Sequence, residues 1–245
     1  MLAPRATDLL DAWDAGLHSS SARRALLLLA TVRPDPIDEL AAMPLGQVAA
    51  ELLGLHTSLF GPMLVCLADC RGCGTVVESA VDVAQLTSLD TGRALADQAA
   101  PLVVTEGDVD VEFRLPTSAD LVTLAGDVPS AASALAHAIV IRASRQGRDV
   151  SFADLPARVN AALERCVVEH DPLARIELQM TCPQCGSTWT EWLQVGEFVW
   201  SEVSNLAERL LGDVARLAYA FGWREADILA MSASRRQHYL AMLPS

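Results

Sequence analysis

Two short cysteine motifs, CRGCG at residues 70–74 and CPQCG at residues 182–186, decide the fold of this chain. Each motif places two thiols two residues apart, a spacing at which both can bind one metal ion, and its final glycine tolerates the positive φ angle of such a loop. One motif supplies two ligands, whereas a closed tetrahedral site needs four. We therefore predict that Cys70, Cys73, Cys182 and Cys185 bind one structural zinc ion. The two motifs, called here the first and second knuckle, must then lie in contact.

Two other kinds of site use the same cysteine spacing. A redox-active dithiol of the thioredoxin type opens a helix, whereas strand-like residues follow each knuckle here. A catalytic zinc ion keeps one position open for water or substrate, and four thiolates would close the coordination sphere. The two remaining cysteines, Cys66 and Cys166, lack a paired spacing. We expect both to be small buried thiols and not ligands.

A shift of 112 residues carries the first knuckle onto the second. The same shift carries Thr75 to Ser187 and Val83 to Val195, where the apolar runs on each side of the knuckles end. Each knuckle is therefore predicted at the tip of a β-hairpin, formed by residues 63–69 with 75–83 and by residues 175–180 with 187–195. A chance similarity between two generic hairpins is the alternative to an internal repeat.

The rest of the chain has mostly helical periodicity, so the predicted fold class is α+β, mostly helical, with the two knuckle hairpins meeting at one four-cysteine site. A third small hairpin is expected at residues 102–115, a linker at 87–100 and a buried helix at 130–144. Thr7 is expected to cap the first helix. We expect one compact, zinc-stabilised domain with five parts. These are an N-terminal helical unit (1–61), the first knuckle hairpin with the third hairpin (62–116), central helices (117–172), the second knuckle hairpin (173–196) and C-terminal helices (197–245).

Composition excludes several classes of partner. With 245 residues, of which 51% are hydrophobic, the chain can bury a full core. Its formal charge of -13 would repel a phosphate backbone, so nucleic acid is not an expected partner. A signal peptide begins with basic residues that are followed by an apolar stretch, whereas the first residues of this chain include aspartates at positions 8, 11 and 14. We therefore expect a soluble cytoplasmic protein without a membrane partner.

The sequence offers no catalytic signature. Its five histidines are scattered, and it has no H-E-x-x-H, nucleophile-elbow, P-loop or dinucleotide-binding motif. We accordingly predict no catalytic residues, no organic cofactor and no enzymatic activity. A long apolar stripe beginning at Phe198 is expected to be core, with docking onto another protein as the alternative.

Four further phrases stand in order along the chain besides the two knuckles: RALLLLA (24–30), LFGP (59–62), FRLPTSADL (113–121) and YAFGWREADILAMS (219–232) with RR at 235–236 and YL at 239–240. Taken in this order, they resemble the T4-type phage baseplate protein family, the small baseplate and hub-assembly proteins of contractile phage tails and phage-tail-like contractile injection systems. The first knuckle departs from the family's Cys-Pro-x-Cys form, because Arg71 replaces proline.

The resemblance implies a structural or assembly component of a contractile tail-like baseplate, whose work is binding and not turnover. Its implied partners are other baseplate, hub or tail proteins, and an oligomer within the assembled particle is compatible with it. The alternative is a zinc-ribbon adaptor or regulator that binds nucleic acid or a transcription partner. A ribbon that binds phosphate should carry basic residues around its knuckles, and Arg71 is the only one within either knuckle.

Overall fold

A computed structural model describes residues 4–88, 101–124 and 131–243. Helices and small antiparallel sheets make up these ranges, which confirms the α+β class. The helices are α1 (Ala6–Gly16), α2 (Ser21–Ala30), α3 (Ile37–Ala41), α4 (Leu45–Phe60), α5 (Val83–Thr87), α6 (Ser118–Leu124), α7 (Ala131–Ile139), α8 (Ala157–His170), α9 (Val195–Phe221), α10 (Glu225–Leu229) and α11 (Ala233–Ala241), with single 3-10 turns at Phe152–Asp154 and Pro172–Ala174.

The strands form three separate antiparallel sheets. The first hairpin pairs β1 (Met63–Asp69) with β2 (Val76–Asp82), and the second hairpin pairs β7 (Ile176–Thr181) with β8 (Thr188–Leu193). A four-stranded sheet has the order β3 (Leu102–Glu106), β4 (Val109–Phe113), β5 (Val140–Arg145) and β6 (Arg148–Asp149). The predicted third hairpin is present as β3 and β4, joined through Gly107 at φ 65°, and it is half of this larger sheet.

The prediction of one helix over residues 130–144 is wrong in its second half. Helix α7 ends at Ile139, and β5 begins at the next residue and pairs with β4. The segment is rich in alanine and apolar residues, which fit a buried helix as well as a buried strand. The backbone hydrogen bonds offered by β4 decide between them, and these come from residues about thirty positions away.

The N-terminal helix begins differently from the prediction. Thr7 is not its cap, because α1 starts at Ala6 and Arg5 occupies the N-cap position without a capping side-chain hydrogen bond. Arg5 instead donates two hydrogen bonds to the Asp8 carboxylate, of 2.9 and 2.8 Å. A carboxylate in the first turn also suits the positive end of the helix dipole.

A single large core joins the N-terminal helices to both knuckle hairpins. Leu28, Leu29, Leu53 and Leu55 are fully buried in it, together with Leu64 from β1. Ile176 from β7 and Val195 and Val199 from α9 complete the same core. A second core lies between α1, the far half of α9, α10 and α11. Helix α9 therefore runs through both cores.

A buried carboxylate links α8 to the start of α4. The backbone N–H of Gly46 donates a 2.9 Å hydrogen bond to Asp171, which is 7% exposed and lies directly after α8. Asp171 thus satisfies one of the free N–H groups at the first turn of α4, although 125 residues separate the two. A side chain at position 46 would collide with it.

The predicted linker begins where α5 ends, at Thr87, and its residues 89–100 lie outside the described residues. No helix within the described ranges is both long enough and apolar enough to cross a bilayer.

Candidate metal centre

Both knuckles have the same backbone geometry. In the first, Cys70 N–H donates to the Thr75 carbonyl at 2.9 Å and Gly74 N–H to the Cys70 carbonyl at 2.8 Å. In the second, Cys182 N–H donates to Ser187 and Gly186 N–H to Cys182, both at 2.9 Å. Gly74 and Gly186 each have a φ angle of 74°, which is costly for any other residue. This geometry explains the glycine that follows each cysteine pair.

The shift of 112 residues relates the two hairpins in structure as well as in sequence. Equivalent inward positions are buried in both, as Val77 and Trp189 show, and a helix begins at the equivalent residues Val83 and Val195. The inner faces of the two hairpins pack together around Val77, Met180 and Trp189. Two similar units thus meet face to face, and their tips lie together.

The four predicted cysteines converge at these tips. The Sγ atoms of Cys70 and Cys185 are 3.6 Å apart, those of Cys73 and Cys182 are 3.7 Å apart, and all four lie within 4.8 Å of one another. A disulfide has its sulfurs at about 2.05 Å, so none is formed. Four thiolates bound tetrahedrally at a metal–sulfur distance of about 2.3 Å are separated by about 3.8 Å. The spacing is compatible with one metal ion bound by all four.

Two of the four cysteines are buried and two are exposed to solvent. Cys70 and Cys182 are buried against the apolar cluster between the hairpins, whereas Cys73 and Cys185 are exposed. The backbone N–H of Gly72 donates a hydrogen bond to Cys70 Sγ at 3.4 Å. Such N–H groups stabilise thiolate charge, as they do in structural metal sites.

A hydroxyl side chain stands beside each exposed cysteine. Thr75 Oγ1 lies 3.4 Å from Cys73 Sγ, and Ser187 Oγ lies 3.2 Å from Cys185 Sγ. These hydrogen bonds are the main reason why the pKa of Cys73 is lowered and the pKa of Cys185 is lowered to about 6. The two hydroxyls thus favour the thiolate form that binds metal.

The buried cysteine of the second knuckle has the opposite tendency. Backbone N–H groups of Cys185 and Gln184 act to lower the pKa of Cys182, but burial and the neighbouring thiols outweigh them and raise it to about 11. Without a cation, four negative charges would repel one another at this spacing. The surroundings therefore favour the thiolate form at Cys73 and Cys185 but not at Cys182, and a positive ion is needed to hold all four cysteines as thiolates.

Contacts between the knuckles extend beyond the sulfurs. Arg71 lies 3.6 Å from Glu191 on β8 as an exposed ion pair, a kind of contact that contributes little to stability. Gly72 packs closely on Ser187, and a Cβ atom at position 72 would lie 2.6 Å from Ser187 Oγ. This contact was not predicted from the sequence, although the equivalent positions of Thr75 and Ser187 pointed to a hydroxyl beside each knuckle.

The other cysteines take no part in the cluster. Cys66 is half-buried on β1, where burial raises the pKa of its thiol. Cys166 is half-buried on α8, with its Sγ 3.6 Å from His170 Nδ1. Within the described ranges, the four knuckle cysteines are the one group of three or more cysteine, histidine or acidic side chains close enough to hold a metal ion.

A cavity of about 500 Å³ lies between the N-terminal helices, the central helices and β8. Its lining is mostly apolar, and two of its three charged residues, Arg175 and Glu197, have other partners. Arg175 pairs with Glu177 at 2.9 Å and covers the Trp192 ring at 4.2 Å, while Glu197 lies 3.8 Å from Arg24. No nucleophile, base and orienting group converge there among the described residues.

One tetrahedral ion bound by these four cysteines would hold the two hairpins together and would have its coordination sphere filled by them. Comparison of the chain with protein-family models, with curated proteins and with solved structures found no match in any of the three.

Proposed function

We propose that this chain is a non-enzymatic binding protein that serves as a structural or assembly component of a contractile tail-like baseplate and is stabilised by one zinc ion. The observation that carries the proposal is the convergence of four sulfurs from two hairpins 109 to 115 residues apart. Such a site fixes the relative position of two halves of the fold. The surface that the halves present together is then the part available for function.

Zinc is the ion that suits the cluster best. A tetrahedral set of four thiolates selects zinc or iron over the harder divalent ions. Zinc binding also contributes directly to folding, because the two knuckles cannot meet in the unfolded chain. Elemental analysis together with an absorption spectrum separates the two metals, since a zinc tetrathiolate is colourless and an iron site absorbs visible light.

The assignment to a baseplate rests on the ordered phrases of the sequence, chiefly those at residues 113–121 and 219–232. The geometry supports the more general part of the proposal, that the chain acts by binding. Large apolar side chains are exposed on the first hairpin and at the end of α9, including Leu67 at 67% and Tyr219 at 96%. Exposed apolar side chains that are grouped on one surface, as on the first hairpin, are typical of contact surfaces, whereas isolated ones are common on any protein.

Co-expression with the hub, spike, tube and wedge proteins of a contractile tail tests the assignment. We expect a stoichiometric complex with at least one of them on size-exclusion chromatography, and loss of that complex when Cys70 and Cys182 are both changed to serine. A zinc-loaded chain that elutes alone from every pairing would overturn the baseplate role. Tight, salt-sensitive binding to nucleic acid would favour the adaptor alternative instead.

A further inference from the structure

The outward side of the first hairpin is unusually apolar. Met63, Val65 and Leu67 alternate along β1 and are 45%, 49% and 67% exposed, and Val76 on β2 is 60% exposed. Alternate residues of a strand point to the same side, and residues paired across a hairpin share it. These four side chains therefore form one surface, called here the apolar face.

The second hairpin provides an internal control for this face. A shift of 112 residues places Arg175, Glu177, Gln179 and Thr188 at the equivalent positions, and all four are exposed. The same backbone thus carries polar residues where the first hairpin carries apolar ones. The one large apolar group on the second outward side is Trp192, which is 57% exposed and has the Arg175 guanidinium 4.2 Å from its ring centroid. The fold does not require the apolar face, which is therefore better explained by binding.

The charges on the apolar face have a single sign. Glu78 is paired across the hairpin with Leu67, and Asp69 with Val76, and both carboxylates are exposed. No arginine lies on β1 or β2. Two copies that met through this face would bring like charges together, which is unfavourable. The complementary surface should be apolar and carry positive charge.

The end of the C-terminal helices has this character. Tyr219 is 96%, Phe221 40% and Met242 60% exposed, and Phe221 stacks on Trp223 with the ring centroids 4.5 Å apart. Residues 209–243 contain five arginines and three carboxylates, in a chain whose net charge is -13. We call the end of these helices, with its exposed arginines at positions 216, 224 and 235, the aromatic tip; Tyr219 and Arg216 lie on one side of α9, and the stacked rings of Phe221 and Trp223 lie on another. No ion pair within the described ranges involves these three arginines.

We propose that the apolar face of one copy of this chain binds the aromatic tip of a second copy, head to tail. Helix α9 has 27 residues and is roughly 40 Å long, so its end lies far from the knuckle hairpins, where it starts. The two surfaces of one copy therefore cannot meet each other. A contact between unlike surfaces repeats from copy to copy and builds a ring or an open chain.

Arginine and aromatic side chains dominate binding energy at protein interfaces, and carboxylates beside an apolar face complement them. The apolar face consists of four partly exposed side chains, so the contact should be small, weak and dependent on concentration. It should also weaken at high salt, because charge complementarity contributes to it. The proposed contact depends only on these two surfaces. It therefore does not rest on the baseplate role proposed above.

Two variants, each blocking one surface of the zinc-loaded chain, test the proposal. The face variant carries Val65→Glu and Leu67→Gln, the residues that the second hairpin has at 177 and 179. The tip variant carries Arg216→Glu and Tyr219→Ser, both at exposed positions of α9. Zinc content and melting temperature should match those of the unmodified chain. Gln179→Glu on the second hairpin is the matched control, because it adds a charge at the position equivalent to Leu67.

Sedimentation velocity over a range of concentrations provides the measurement. The unmodified chain and the Gln179→Glu control should associate progressively, whereas either blocked variant alone should remain monomeric, with affinity lowered roughly tenfold or more. An equimolar mixture of the face and tip variants should stop at a dimer, because one intact surface remains on each. An unmodified chain that is monomeric throughout would overturn the proposal. So would a mixture that stays monomeric, or blocked variants that associate as well as the unmodified chain.

Discussion

Cys70 Sγ lies 3.6 Å from Cys185 Sγ, although 115 residues separate the two cysteines in the chain. The second close pair, Cys73 with Cys182, also crosses between the knuckles. In each pair a buried cysteine of one knuckle meets an exposed cysteine of the other. The cluster is therefore shared between the knuckles and does not consist of two independent pairs.

Serine in place of Cys182 should abolish stoichiometric metal binding, because three thiolates and a poor hydroxyl ligand do not complete the tetrahedral site. Structural zinc ions in small domains contribute about 10 kcal/mol or more of apparent binding free energy at neutral pH, so the melting temperature should fall steeply. Elemental analysis and thermal unfolding with and without a chelator check this.

Cys66→Ser is the matched control for that change, since Cys66 lies on β1 outside the cluster and should leave one zinc ion bound. Loss of one ion per chain on changing either knuckle supports a shared site. Two ions per chain, each lost with its own knuckle, would contradict it.

Alanine in place of Gly72 should weaken metal binding without removing a ligand. Its Cβ atom would lie 2.6 Å from Ser187 Oγ, and the knuckles must separate slightly to relieve that contact. Substitutions beside metal ligands typically cost about 10- to 100-fold in affinity, and we expect an effect in that range. Competition with a chromogenic chelator measures the loss. Gln184→Ala at the equivalent position of the second knuckle should have little effect, and equal losses at both positions would argue against the steric explanation.

Gly46→Ala should destabilise the fold by about 1–3 kcal/mol, because its side chain would displace the Asp171 carboxylate and break a buried hydrogen bond. Urea unfolding of the zinc-loaded protein provides the measurement. Gly212→Ala is the control, since position 212 lies inside α9 with no atom within 4 Å of an added Cβ. It should stabilise by about 0.5–1 kcal/mol, because alanine is the better helix former. A Gly46→Ala variant as stable as the unmodified chain would show that Asp171 has no capping role.

Asp120→Asn should destabilise the protein at neutral pH but not in acid. Burial acts to raise the pKa of Asp120, but hydrogen bonds from Arg114 and Thr117 outweigh it and hold this pKa below its usual range. The stabilisation is therefore complete above the unfolded pKa of about 3.9 and is lost as the pH falls through the lower folded value.

We expect a difference of about 1–3 kcal/mol between the Asp120→Asn variant and the unmodified chain at pH 7. The difference should shrink towards zero in acid, as measured by unfolding at a series of pH values. Loss of metal in acid affects both proteins and cancels in the comparison. A difference that is independent of pH would exclude the charged hydrogen bonds as its cause.

The features that the sequence could predict are local or repeated ones. The knuckle hairpins follow from the cysteine spacing and the flanking β-branched residues, and the shift of 112 residues identified their equivalence. Their convergence followed from the number of ligands that one ion needs. At the start of α6, both the N–H and the hydroxyl of Thr117 donate to Asp120 three residues later, a contact that lies within a short stretch of sequence.

The features that escaped prediction depend on partners distant in the chain. Val140 becomes a strand residue because β4 lies beside it, and Asp171 caps a helix that begins at residue 45. In each case a contact that no sequence window contains outweighs the local preference.

Helix α9 begins two residues after β8 ends, and its first turn is buried in the core that both hairpins share. It then runs for 27 residues to the aromatic tip. It starts at the base of the second hairpin, whose opposite end carries the cysteines, and it packs along both cores over a length of about 40 Å, given a helix rise of about 1.5 Å per residue. The position of the aromatic tip is thus set by the packing of both cores along α9, and the four cysteines fix only the hairpin from which the helix starts.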